Sequence, residues 1–344
     1  MTPTCARIRL VVALAAGPIL LAAAGGIAHA ASKGQPAGIF CLTRGDIVEH
    51  PNRQLARMPC WTNPNVDGVT LRTRWNKIEP APGRADWTFF DAGLTLAHKH
   101  HKRVALSVTA GQFAPAWVYA GGAEAFQFAR NKGQPATMPL PWDKAFRKQW
   151  RGFVRSLGKR YDGAPEVAYV MIGGPGRSIE SYFVKSAADI KRLNALGGMP
   201  KWLEGSRAIV DMYAAAFPHT PFLLAMGPPT PTADGHAALK ALVDYGAAKY
   251  PGRFGVMNDA LAANTGGQRH AKYGPQTVKA LSPTTTTGFQ MVLPTRKLKG
   301  TLQEALARAI QFKAHVVELY HDDCDDPRQA AVLRDARKFL KPAP

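Results

Sequence analysis

Two glutamates, two arginines and a set of tryptophans and amides are the residues of this chain whose types and surroundings suit chemistry. Glu180 follows the run Gly173-Gly174-Pro175-Gly176-Arg177-Ser178-Ile179, and Glu318 lies within Val316-Val317-Glu318-Leu319-Tyr320. A pair of carboxylates in unlike environments can divide acid and base duties. Burial beside a like charge keeps one protonated, while a nearby cation holds the other ionised. Arg72 and Arg74, two positions apart, share one face of an extended segment and could supply that cation. Trp75, Trp117, Gln112, Asn258, Gln290, Tyr320 and Asp322 add rings and planar hydrogen-bonding groups. Such groups at one opening suit a sugar, whose apolar faces stack on rings and whose hydroxyls need amides and carboxylates.

Residues so far apart in sequence meet only if the fold collects them at one rim. The chain alternates short apolar β-rich runs with amphipathic helical patterns. Strands are expected at 38–42, 68–74, 103–108, 167–172, 221–226, 253–257, 286–292 and 315–320. Most are continuous apolar runs, as strands buried on both faces should be. Helices are expected at 89–101, 143–161, 206–217, 236–249 and 301–313. Eight strands with intervening helices predict an α/β fold, a single (β/α)8 TIM barrel over residues 31–344. Segments 197–202 and 264–285 are expected as loops at the barrel top. In such a barrel the carboxyl ends of the strands carry the site, and every residue named above falls at or just past such an end.

The run Gly68-Val-Thr-Leu-Arg-Thr-Arg-Trp75-Asn-Lys-Ile-Glu79-Pro80-Ala-Pro-Gly83-Arg-Ala-Asp86-Trp87-Thr-Phe-Phe-Asp91 resembles the clan A glycoside hydrolases, especially the β-galactosidase-like family 42 group. Ala85 stands where that pattern has an aromatic residue. The segment Ala114-Pro115-Ala116-Trp117, after the third strand, is similar to the same group. The resemblance implies hydrolysis of O-glycosidic bonds, with an acid/base after strand four and a nucleophile at the end of strand seven. Glu180 is the carboxylate past strand four, though the usual Asn-Glu pair is replaced by the Gly-Pro-Gly run. Gln290 occupies the strand-seven position and cannot form a glycosyl ester, so Glu318 on strand eight is the second acid expected. A carbohydrate-binding pseudoenzyme that keeps the cleft without the strand-seven acid is the alternative.

Other clusters read as structural. Glu79 sits in a Glu-Pro turn leaving a strand. His98, His100 and His101 end a helix, where cations complement the dipole. The acidic run 321–326 lacks the spacing of a calcium loop and suits neutralisation of nearby Lys and Arg. Segment 173–176 lacks the Lys-Ser/Thr of a phosphate loop. Neither a metal nor a cofactor is expected.

Arg7 and Arg9 precede an apolar run from Leu10 to Ile27 that ends in Ala28-His29-Ala30. This predicts a signal peptide over residues 1–30, cleaved before Ala31, and a secreted or periplasmic protein with no membrane attachment after cleavage; an uncleaved anchor is the other reading. Removing two of 44 basic residues, against 24 acidic ones, takes the formal charge from +20 to +18. That excess would attract anionic polymers without selecting a nucleic acid. Cys41, Cys60 and Cys324 remain. Cys41 with Cys60 closes a short loop and is the first pair to expect; three unpaired buried cysteines are the alternative.

Overall fold

The computed structural model describes Met1 and residues 35–43, 47, 54–130, 133–174, 184–267 and 273–342. The chain divides into a unit of residues Met1–Ala30 and a unit of residues Ala31–Pro344. The expected signal segment lies almost wholly outside the described residues. No described helix is long and apolar enough to cross a membrane.

The second unit holds ten described strands: β1 (Gly38–Leu42), β2 (Gly68–Arg74), β3 (Arg103–Thr109), β4 (Phe126–Ala129), β5 (Pro135–Met138), β6 (Val167–Met171), β7 (Phe222–Ala225), β8 (Phe254–Leu261), β9 (Thr287–Met291) and β10 (Val316–Tyr320). Eight of them close a parallel barrel in the order β1-β2-β3-β6-β7-β8-β9-β10, with β10 returning to β1. All eight coincide with the runs expected from the sequence to within a few residues, and the (β/α)8 barrel is the fold. Alternation along each strand sorts the side chains. Phe40, Ala105, Tyr169, Leu223, Met257 and Val316 fill the barrel, while their neighbours pack outward against the helices.

The helices follow from amphipathic spacing and caps. The helix Lys144–Tyr161 starts at Asp143, whose carboxylate accepts from the Phe146 amide, and buries Phe146, Trp150, Phe153, Val154 and Leu157. It approaches the helix Gly198–Ala216 closely because Gly158 has no side chain. A Cβ there would lie 2.1 Å from the Ala216 carbonyl oxygen. The helix Leu302–Gln311 opens with a capping box formed by Thr301 and Glu304.

Two expected top loops prove partly helical. Residues 198–202 are the first turn of Gly198–Ala216. Gly197 (φ 117°) and Gly198 (φ 55°) make the entry, and Pro200 falls in the first turn, where its missing N–H costs nothing. The helix Tyr273–Leu281 occupies much of 264–285, again with a proline, Pro275, near its start. An antiparallel hairpin, β4–β5, stands outside the barrel and pairs Phe126 with Met138. It is tied to the helix Ala187–Ala195 by the Ala129 amide, which donates to Asp189 at 3.0 Å. The Cys41–Cys60 disulfide is formed, and Cys324 is a buried free thiol.

Candidate functional site

Toward the carboxyl ends of the strands the apolar filling of the barrel gives way to a polar group. Thr70 and Arg72 come from β2, Tyr169 from β6, Gln290 from β9 and Glu318 from β10. Glu318 points into the barrel and has no exposed surface. Its Oε1 accepts from Thr70 Oγ1 and from Tyr169 Oη, each at 2.8 Å. Oε2 has no hydrogen-bond partner among the described residues and lies 3.6 Å from Arg72 Nη2. The same Nη2 donates to Gln290 Oε1 at 2.6 Å. Arg72 thus bridges the carboxylate below and the amide beside it, and its side chain is 21% exposed.

The electrostatics are consistent with this order. Burial, reinforced by the neighbouring Glu318 charge, pushes the Tyr169 hydroxyl well above its ordinary range, so it remains a donor to the carboxylate. Arg72 Nε and Ser107 Oγ, on register-paired residues of β2 and β3, are likewise buried without a hydrogen-bond partner among the described residues. Three unsatisfied polar atoms inside one barrel mark a place built to receive polar partners rather than apolar filling.

Among the described residues, the other expected site residues are distributed around the rim, with two exceptions. Arg74 is half-buried, its guanidinium 4.2 Å from the centre of the Phe113 ring. Gln112 accepts from Arg130 at 3.1 Å, which links the rim to the β4–β5 hairpin. Tyr320 is half-buried, with its hydroxyl 3.5 Å from the Val292 carbonyl. Asp322 accepts from Arg296 at 3.1 Å. Glu180 lies outside the described residues.

Trp75 is corrected: it is a core residue with no exposed surface. The strand ends at Arg74 and the helical turn Trp75–Ile78 folds the indole inward, 4.7 Å from the Trp150 ring and 5.4 Å from Trp117. Its Nε1 donates to Glu79 Oε2 at 2.6 Å, and the Gly83 amide donates to Glu79 Oε1 at 2.9 Å. Trp117, half-buried, donates to the Glu79 carbonyl at 3.0 Å. The Trp-x-x-x-Glu block is therefore a structural knot at the exit of β2. Burial raises the Glu79 carboxyl above the usual carboxylate range, against the lowering effect of its two donors.

Asn258 is the second correction. Gly255 and Met257 face the barrel interior, so the pleat turns Asn258 outward, where its amide abuts Gly274 of the helix Tyr273–Leu281. The acidic run forms the short helix His321–Cys324. There Asp323 is buried and accepts from the Thr295 amide, and Asp326 pairs with Arg328. Sequence reasoning missed Thr70, Ser107 and Tyr169. The available signal was Tyr169, a hydroxyl in a fully apolar strand, which requires a buried acceptor.

The fold is a (β/α)8 barrel with a polar interior toward the carboxyl ends of its strands. Residues 57–186 match the glycoside hydrolase family 42 model, described as β-galactosidase. Among solved structures, the catalytic domain of β-amylase from Paenibacillus polymyxa is 11% identical, with 90% of this chain and 99% of that chain covered and a TM-score of 0.61. The cold-adapted β-galactosidase from Rahnella sp. R3 is 14% identical with a TM-score of 0.58, covering 90% of this chain and 57% of that one. The exo-β-1,4-mannosidase Op5Man5 from Opitutaceae bacterium strain TAV5 is 12% identical with a TM-score of 0.53, covering 83% and 52%. The chain thus spans little more than half the length of the last two. No curated protein matches the sequence.

Proposed function

We propose that the protein hydrolyses O-glycosidic bonds of an oligo- or polysaccharide at the carboxyl-end mouth of the barrel. The observation that carries this reading is Glu318, a buried carboxylate with one oxygen held by two hydroxyls and the other without a hydrogen-bond donor. A carboxylate with no exposed surface does not reach an anomeric carbon, and a route through water requires the partly exposed Arg72 side chain, 3.6 Å from Oε2, to shift and admit one water to that oxygen. The reaction proposed is therefore a single displacement. Water attacks the anomeric carbon and gives its proton to Glu318. Glu180 protonates the leaving oxygen, and the anomeric configuration inverts. Gln290, which cannot form a covalent glycosyl ester, is consistent with that route. Arg72 faces the Glu318 carboxylate and offers hydrogen bonds upward to sugar hydroxyls.

Aryl glycosides and plant and microbial polysaccharides, with the product anomer followed by NMR, test the proposal. Glu180→Gln and Glu318→Gln should each lower turnover by roughly 10²–10⁴-fold while saccharide binding persists. Retention of configuration would overturn the single displacement. A second reading, saccharide binding without turnover, is favoured by one observation: Arg72 already neutralises Glu318 and engages Gln290. Binding with no hydrolysis across the panel would establish it.

Export belongs to the same reading. It is supported by the basic, apolar and small-residue pattern of residues 1–30, and the Cys41–Cys60 disulfide suits an oxidising compartment. Mass spectrometry of the exported protein should find its N-terminus at Ala31, and an intact N-terminus in the membrane fraction would overturn it.

A further inference from the structure

The helix Lys144–Tyr161 carries no acidic residue, and its solvent side is a line of cations. At 3.6 residues per turn, Lys144, Lys148, Arg151, Arg155 and Lys159 fall within about 80° of one another around the helix axis. All five are exposed, and no acid pairs with them among the described residues. Arg147 flanks the line and reaches Glu204 at 3.8 Å, while Arg160 lies on another side, paired with Asp91. Gly152 interrupts the line without a side chain and opens a hollow of about 430 Å³, walled by Lys144, Arg147, Lys148, Arg151 and Arg155. A second hollow of about 270 Å³ continues from Arg151 and Arg155 to the helix Gly198–Ala216.

This arrangement opposes the helix that carries it. Lys144/Lys148, Arg147/Arg151, Arg151/Arg155 and Arg155/Lys159 are like-charge pairs four residues apart, and the first-turn cations face the positive end of the dipole. A bound anion would offset each of these repulsions with attractions of its own to the same cations and to the dipole. We propose that this face, on the outer wall and separate from the mouth, docks a linear polysaccharide bearing carboxylates. The choice of a polysaccharide rests on the carbohydrate reading above.

The chemistry of the face narrows the partner. Its cations step by about 4.5–6 Å, three or four residues at 1.5 Å each. That spacing fits a single chain with one anion per sugar better than duplex DNA, whose charges rise by ~3.4 Å of axis on each of two strands. The helix's own aromatics, Phe146, Trp150, Phe153 and Tyr161, are buried on the opposite face, so no platform exists for unstacked bases. None of the exposed large apolar residues lies on this helix, so it has nothing to insert into a membrane. Arginine forks at 151 and 155 suit planar carboxylates.

The test is binding of the full chain to polygalacturonate, with heparin and a DNA duplex as comparison probes at matched charge concentration. Arg151→Glu/Arg155→Glu should weaken polygalacturonate binding roughly tenfold or more and flatten its salt dependence. Arg151→Gln/Arg155→Gln should weaken it less and serves if the charge reversal disturbs folding. Turnover of a neutral aryl glycoside at the mouth should be unchanged in both variants. Unaltered polygalacturonate binding in both variants overturns the surface. Tighter binding of heparin or DNA overturns the choice of ligand. Absent turnover with binding that still tracks Arg151 and Arg155 overturns the hydrolase reading alone.

Discussion

Arg72 on β2 and Glu318 on β10 meet across β1, the strand between them, with 3.6 Å separating Nη2 from Oε2. The pair lies beneath the rim, and its members are unequally placed: the arginine reaches toward the mouth, the glutamate does not. Removing one partner should cost more than removing both. Arg72→Met leaves a buried charge without its counter-ion and should cost about 3–5 kcal/mol, whereas the double variant Arg72→Met/Glu318→Leu should recover much of that loss. Urea denaturation of the four proteins of the cycle measures it. A double-variant loss equal to the sum of the two single-variant losses would show that the pair is not coupled.

Glu79 and Trp75 offer a separate test of the knot at the exit of β2. Glu79→Ala leaves the Trp75 indole N–H and the Gly83 amide without acceptors and should cost about 2–3 kcal/mol. Trp75→Ala should cost about 3–5 kcal/mol through the cavity it leaves. Neither change should alter saccharide affinity in the molecules that remain folded. A Trp75 variant with normal melting temperature and weakened saccharide binding would return that residue to the rim.

His315 gives a pH signature. Its Nδ1 accepts from the Thr287 amide at 3.1 Å, and burial holds its pKa below the ordinary value of 6.5. The unfolded chain therefore takes up the proton first. The stability contributed by the neutral ring is complete above pH ~6.5 and is lost as pH falls below it, levelling off only below the folded pKa. Melting temperature should fall between pH 7.5 and 5, and His315→Gln, which keeps an acceptor but cannot titrate, should remove part of that slope. An unchanged slope in the variant would assign the pH dependence to other groups.

The disulfide spans 19 positions. A closed loop of that size restricts the unfolded chain by about 3 kcal/mol. Cys60→Ser should lower stability by about that amount in urea titration, and a reducing agent should affect the wild type but not the variant. A loss well under 1 kcal/mol would mean that the surrounding packing already fixes the loop.

All eight barrel strands could be read from the sequence because each is a short run buried on both faces, with turn residues at its ends. What escaped was set by tertiary geometry. Trp75 follows a strand end and looks like a rim residue, but one helical turn after Arg74 swings it into the core. Asn258 could have been placed by parity, since Met257 beside it faces inward. The entry to the helix Gly198–Ala216 was hidden by Gly197, Gly198 and Pro200, residues that normally signal loops. The β4–β5 hairpin left a weaker trace in Phe126-Gln127-Phe128, whose alternation is that of a half-buried strand. The direction in which Glu318 points depends on Thr70 and Tyr169, and nothing near residue 318 in the sequence identifies them.

Those two partners also bear on how the chain reaches its native state. Thr70 and Tyr169 donate to a residue that lies 248 and 149 positions further along. Their hydroxyls, and the Arg72 guanidinium with them, enter the interior without their acceptor until the last strand is inserted. Contacts at such separations are late and slow to form. A fragment ending before β10 should therefore hold its first strands only loosely, with rapid amide exchange in β2 and β6. Ordering of the final strand, rather than collapse of the first half, should be the step that commits the whole barrel.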